Sequence, residues 1–80
     1  MPTPAQLRAA RSLLGLSQPD VADLTGLSSM TIKRAEGAGQ PPASADAMAK
    51  IASALEAAGV IFVEENGEGP GVRLRKARPE

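Results

Sequence analysis

Four times within the first 59 residues, a serine or threonine opens a short run of helical spacing that a glycine then closes. A hydroxyl at the N-cap satisfies one of the free backbone donors of a helix start, and glycine takes the left-handed conformation that ends one. This punctuation rules out a long helix and imposes several short ones joined by tight turns. Thr3-Pro4-Ala5-Gln6 starts the first: Thr3 caps, Pro4 fits the first helical position and Gln6 completes a capping box. Leu7, Ala10, Arg11 and Leu14 follow at helical spacing, and Gly15 stops the run. Ser17 caps a second helix with Pro19 and Asp20 in its first turn, Val21, Ala22 and Leu24 on its inner face, and Gly26 at its end. Ser28 caps a third, from about Ser29 to Glu36, closed by Gly37. The double proline in "AGQPPA", Ala38 to Ala43, forces a loop. Ser44 then caps a fourth helix whose stripe is Met48, Ile51, Ala52 and Leu55, ending at Gly59.

Beyond Gly59 the period changes. Val60 to Val63 is a run of β-formers, Asn66-Gly67 and Gly69-Pro70-Gly71 are turn chemistry, and Val72 to Arg75 alternates apolar with basic. The pattern predicts a β-hairpin with a long loop. The chain thus divides into a helical domain over residues 1–59, a hairpin over 60–76 and a frayed tail over 77–80. The fold class is mainly α, four helices followed by a C-terminal β-hairpin.

Composition narrows the function. Eighty residues make one small domain with a thin core. The chain has no cysteine and no histidine, which excludes disulfides, a Cys/His zinc site and histidine acid–base chemistry. Its carboxylates show no paired or metal-binding spacing, so neither an enzyme nor a cofactor is expected. One phenylalanine without Trp or Tyr gives no aromatic platform for stacking single-stranded bases. Formal charge is zero, so any nucleic-acid binding must depend on a local patch. No apolar run approaches the roughly 20 residues that span a bilayer, and the N-terminus lacks a signal-peptide pattern; a cytoplasmic protein without membrane contact is expected.

The second and third helices carry the informative spacing. Gln18 opens the unit, Ala22 follows where a crossing helix demands a small residue, Gly26 supplies the turn, and Val21, Leu27 and Ile32 fill the wedge. With Ser28 capping on cue, "LGLSQPDVADLTGLSSMTIKRAEGA" resembles the lambda-repressor-like family of helix-turn-helix regulators, the Cro/C1 or XRE type, over roughly Pro4 to Ala58. The resemblance implies a four-helix bundle whose third helix, at about 28–36, enters the major groove of double-stranded DNA. It further implies base contacts from Ser29, Met30 and Arg34, and phosphate contacts from Gln18, Ser28, Thr31 and Lys33. Arg34 is the foremost base reader, because a guanidinium engages guanine O6 and N7 with two parallel hydrogen bonds. Arg11 and Glu36 occupy the places of a structural ion pair in the family. Two departures weaken a single subunit: the loop after the third helix carries no cation, and Ser29 and Met30 are poorer hydrogen-bonding readers than glutamine.

An isolated hairpin is marginal in water, so the expectation is that Val60, Phe62, Val72 and Leu74 are buried by the hairpin of a second subunit, giving a homodimer on two half-sites. Across the hairpin, Arg73, Arg75, Lys76 and Arg78 are expected to pair with Glu64, Glu65 and Glu68. The function these features predict is a homodimeric transcriptional regulator, a repressor on grounds of size. Two rival readings stay open: an antitoxin that represses its own promoter and binds a toxin through its C-terminal segment, and a protein-interaction adaptor without DNA binding.

Overall fold

The structure, a computed structural model, describes residues 1–76; the tail expected over 77–80, with Arg78, lies outside the described residues. Four helices come first, α1 (Pro4–Leu13), α2 (Gln18–Thr25), α3 (Ser29–Ala35) and α4 (Ala45–Ala57), and then two antiparallel strands, β1 (Val60–Val63) and β2 (Gly71–Leu74). Every helix starts as its capping residue dictates. Thr3 Oγ1 accepts from the Gln6 N–H at 3.2 Å while Gln6 Oε1 accepts from the Thr3 N–H at 2.8 Å. Ser17 and Asp20 form a second such box, and Ser28 and Ser44 cap α3 and α4. Gly26 closes α2 with a φ of +74°, which an L side chain adopts only at a cost. Glu36 caps the end of α3 rather than extending it. No helix among the described residues is long and apolar enough to cross a membrane.

Leu7 and Ala10 of α1, Val21 of α2, Ile32 and Ala35 of α3, Ile51, Ala52 and Leu55 of α4, and Val60 of β1 form one buried cluster. Fully burying a large aliphatic side chain contributes about 1.5–3 kcal/mol. The inner face of α2 differs from expectation at one position. Leu24 is 57% exposed, and Thr25, four residues after Val21, is buried in its place. Burial of that hydroxyl is tolerated because Thr25 Oγ1 donates to Val21 O at 2.8 Å.

The hairpin is not isolated within its own chain. It packs on α1 and α4, pairing Val60 with Leu74, Ile61 with Arg73, Phe62 with Val72 and Val63 with Gly71. Of the four residues expected at a subunit interface, Val60 is fully buried in its own chain, Phe62 and Val72 pack against the same core, and Leu74 is 51% exposed. Val60 and Phe62 are therefore already partnered within the chain. A strut not foreseen from the sequence secures this docking: Gln6, 6% exposed, donates through Nε2 to Val63 O at 3.1 Å and to Gly71 O at 2.8 Å. The second strand begins at Gly71, one residue before the expected start. At its other end Arg75, just past the strand, keeps the same register, its N–H donating to Gly59 O at 2.7 Å, while its Nη2 donates to Glu56 O at 3.2 Å.

Among the described residues the expected charge pairs across the hairpin do not form. The loop holds Glu64, Glu65 and Glu68 at the turn end, whereas Arg73, Arg75 and Lys76 lie at the base, and the register sets Arg73 against Ile61. Glu65 instead orders the turn, its Oε2 accepting from the N–H groups of Gly67 at 2.7 Å and Gly69 at 2.9 Å.

Candidate nucleic-acid interface

A three-residue connection, Gly26 to Ser28, turns the chain from α2 into α3. Gly26 donates to Ala22 O at 2.8 Å, Leu27 N–H donates to Thr25 Oγ1 at 3.2 Å, and Ser28 Oγ accepts from Thr31 N–H at 3.1 Å. Every residue of the turn is thus tied to one of the two helices it joins. The inner side of α3 is fixed by Ile32 and Ala35, both fully buried, against α2 and α4.

The end of α3 is pinned by charge. Glu36 is 4% exposed and accepts from Arg11 Nε at 2.7 Å and Arg11 Nη2 at 2.9 Å, a two-pronged contact between planar groups. This hydrogen bonding raises the Arg11 guanidinium above its ordinary value. Arg11 Nη1 also donates to Leu16 O at 3.0 Å, so one side chain on α1 holds both the approach to α2 and the end of α3. The Arg11–Glu36 pair is therefore present as the resemblance implied. Two contributors to it were missed. Arg8, one helical turn before Arg11, donates through Nη1 to Glu36 O at 2.8 Å; its i, i+3 relation to Arg11 was a signal available in the sequence. Gln18 donates through Nε2 to Glu36 Oε1 at 3.2 Å, so the side chain expected on a phosphate is turned toward this cluster.

The outer side of α3 contrasts with this anchored one. Ser28, Ser29, Met30 and Lys33 are exposed, and Thr31 and Arg34 are half-buried. The Ser28 and Thr31 hydroxyls share a hydrogen bond of 2.9 Å. The stem of Arg34 lies against the following loop, where a β-carbon at Gly39 would meet its Cγ at 3.9 Å. Its Nε is buried without a hydrogen-bond partner among the described residues. Among those residues neither Lys33 nor Arg34 is paired with a carboxylate, whereas Arg11 is. The loop after α3 carries no cation.

Two short helices locked at a glycine turn, the second seated across the first with a polar, unpaired outer face, define a helix-turn-helix. Comparison with protein families agrees: residues 5–60 match the model described as a helix-turn-helix domain, and the chain belongs to that family, in its XRE, Cro/C1-like form. The matched region runs from α1 to the first residue of β1 and leaves out the rest of the hairpin. Proteins of this family are DNA-binding regulators and typically not enzymes. No curated protein matches the chain.

Proposed function

We propose that this protein is a sequence-specific, double-stranded DNA-binding transcriptional regulator, a repressor, that works as a homodimer with α3 in the major groove. One observation carries the reading: α3 is fixed on its inner side by Ile32, Ala35 and Glu36 while its outer side carries two cations that no carboxylate of the described residues neutralises. A rigid element with unpaired donors is what base reading requires, because the ordering cost is met before DNA arrives. Ser29, Met30 and Arg34 contact bases. Met30, 52% exposed, suits a thymine methyl, and Arg34, its stem already held, suits guanine. Lys33, Ser28 and Thr31 face phosphates. Gln18 joins them through its backbone N–H at the start of α2, its side chain being engaged with Glu36.

Packing of the hairpin on α1 and α4 through Val60 and Gln6 favours this function over a toxin-binding tail that is unstructured when free. The test is selection from a random duplex DNA pool with the purified protein beside Arg34→Ala. Enrichment of an inverted repeat that the variant does not retain is expected. Absence of enrichment at low salt would overturn the reading in favour of the protein-interaction adaptor.

A further inference from the structure

We infer that Met30 is a reversible oxidation site: a peroxide converts its thioether to the sulfoxide, and the oxidised side chain loosens the hold of α3 on DNA. The inference rests on the reading of α3 proposed above and adds a chemical control to it. Three observations carry it.

The first is composition. The chain has no cysteine, histidine, tryptophan or tyrosine, so its three methionines hold all the sulfur it offers to an oxidant. The second is placement. Met1 is 71% exposed but lies with Phe62, Glu64 and Pro70 around a cleft beside the hairpin. Met48 is half-buried on α4 and packs against the core. Met30 is the one methionine on α3, 52% exposed, in the first turn after the Ser28 cap. A peroxide reaches it without any opening of the fold. The third is its neighbours. Lys33 and Arg34 follow Met30 at i+3 and i+4, so the three share one side of α3. Neither cation has a carboxylate partner among the described residues.

In the oxidation the Met30 sulfur attacks one oxygen of hydrogen peroxide. The S–O bond forms as the O–O bond breaks, sulfur gives up an electron pair, and the proton of the transferred oxygen goes to the departing one, which leaves as water. The product is polar where the thioether was apolar. A thymine methyl suits the thioether, whereas against the sulfoxide it leaves a buried oxygen without a donor, which weakens binding about tenfold per subunit. That oxygen is also an acceptor beside Lys33 and Arg34, and it competes with phosphate and guanine for their donors. Sulfoxide reductases return the side chain to methionine, so the change is a switch. The inner side of α3 is held by Ile32, Ala35 and the Arg11–Glu36 pair, none of which carries sulfur, so the fold persists when Met30 is oxidised.

The test treats the full chain with hydrogen peroxide, wild type beside Met30→Leu, which keeps an apolar side chain of similar volume without sulfur. Peptide mass spectrometry follows sulfoxide at each methionine, circular dichroism checks the fold, and affinity is measured on the selected duplex. Wild-type affinity is expected to fall about tenfold in step with sulfoxide at Met30 and to return after treatment with methionine sulfoxide reductases. Met30→Leu, oxidised at Met1 to the same extent, should bind as it did before treatment. Oxidation of Met30 no faster than of Met48, unchanged affinity with Met30 oxidised, or a Met30→Leu chain that loses affinity as wild type does would each overturn the switch. Untreated wild type that retains no duplex overturns the DNA reading and the switch with it; duplex binding that survives oxidation of Met30 overturns the switch alone.

Discussion

Arg11→Met tests the anchoring of α3 most sharply. Glu36 is 4% exposed, and of the three donors on its carboxylate two come from Arg11; the substitution leaves a buried charge with one amide donor, from Gln18 at 3.2 Å. Breaking one side of a buried pair costs about 3–5 kcal/mol, and because Arg11 is itself 18% exposed and water reaches the site, the lower end, about 3 kcal/mol, is expected. A domain of this size has about 4–12 kcal/mol in total, so the loss is at least a quarter of it. With about 4–8 °C per kcal/mol for small domains, the melting temperature should fall by about 12–24 °C. Glu36→Gln should cost less, about 1.5 kcal/mol, because Arg11 keeps Leu16 O and solvent while the amide oxygen still accepts. Arg11→Met combined with Glu36→Leu should be more stable than Arg11→Met alone, since the stranded carboxylate is gone. The assay is urea unfolding followed by circular dichroism, completed as a double-mutant cycle. An Arg11→Met loss under about 0.5 kcal/mol, or strict additivity in the cycle, would refute the reasoning.

Gln6→Ala removes the donor to Val63 O and Gly71 O and the acceptor of Thr3 N–H, so about 1–3 kcal/mol should be lost. Hydrogen exchange should speed up at the Val60–Val63 and Gly71–Leu74 amides more than in α2 and α3; uniform protection would count against a strut. At Gly26 a β-carbon meets nothing within 4 Å, so Gly26→Ala should cost only its conformational penalty at φ +74°, about 1–2 kcal/mol, with Gly26→Asn milder in the same unfolding assay. Asp20, accepting from Ser17 N–H at 2.8 Å, has its carboxyl held below the usual carboxylate range by that backbone hydrogen bond. Its contribution is therefore fully present above the unfolded value of about 3.9 and lost as pH falls through the lower folded value. Melting curves of wild type and Asp20→Asn should converge below about pH 3.9; a constant gap down to about pH 2 would contradict the assignment.

The helices were legible because their ends are written in local chemistry. Thr3, Ser17, Ser28 and Ser44 each cap where they stand, and a cap needs no knowledge of the rest of the chain. What depends on tertiary packing was harder to see. Apolar character favoured Leu24 for the inner face of α2, but burial is decided by helix angle and neighbours, and Thr25 meets its own hydrogen-bonding need internally. Gln6 showed its capping role and concealed its bond to a carbonyl 57 residues away. Charge pairing across the hairpin failed because it depends on register, and the loop from Glu64 to Pro70 separates the two signs along the strands. At the candidate site, Arg11 and Glu36 could be matched only through resemblance to a family. The turn of Gln18 toward Glu36 requires all three dimensions, since α1, α2 and α3 meet there.

The measurement that bears most directly on α3 as a reading element is equilibrium binding to the selected duplex across a range of salt, for wild type, Lys33→Ala and Arg34→Ala. Lys33→Ala should weaken all duplexes alike and reduce the slope of log affinity against log salt by about 0.9 for each phosphate that is no longer neutralised. Arg34→Ala should cost about 1–3 kcal/mol on the selected duplex and abolish the preference for one G·C pair. If instead both variants bind with wild-type affinity, slope and base preference, α3 is not the element that meets DNA.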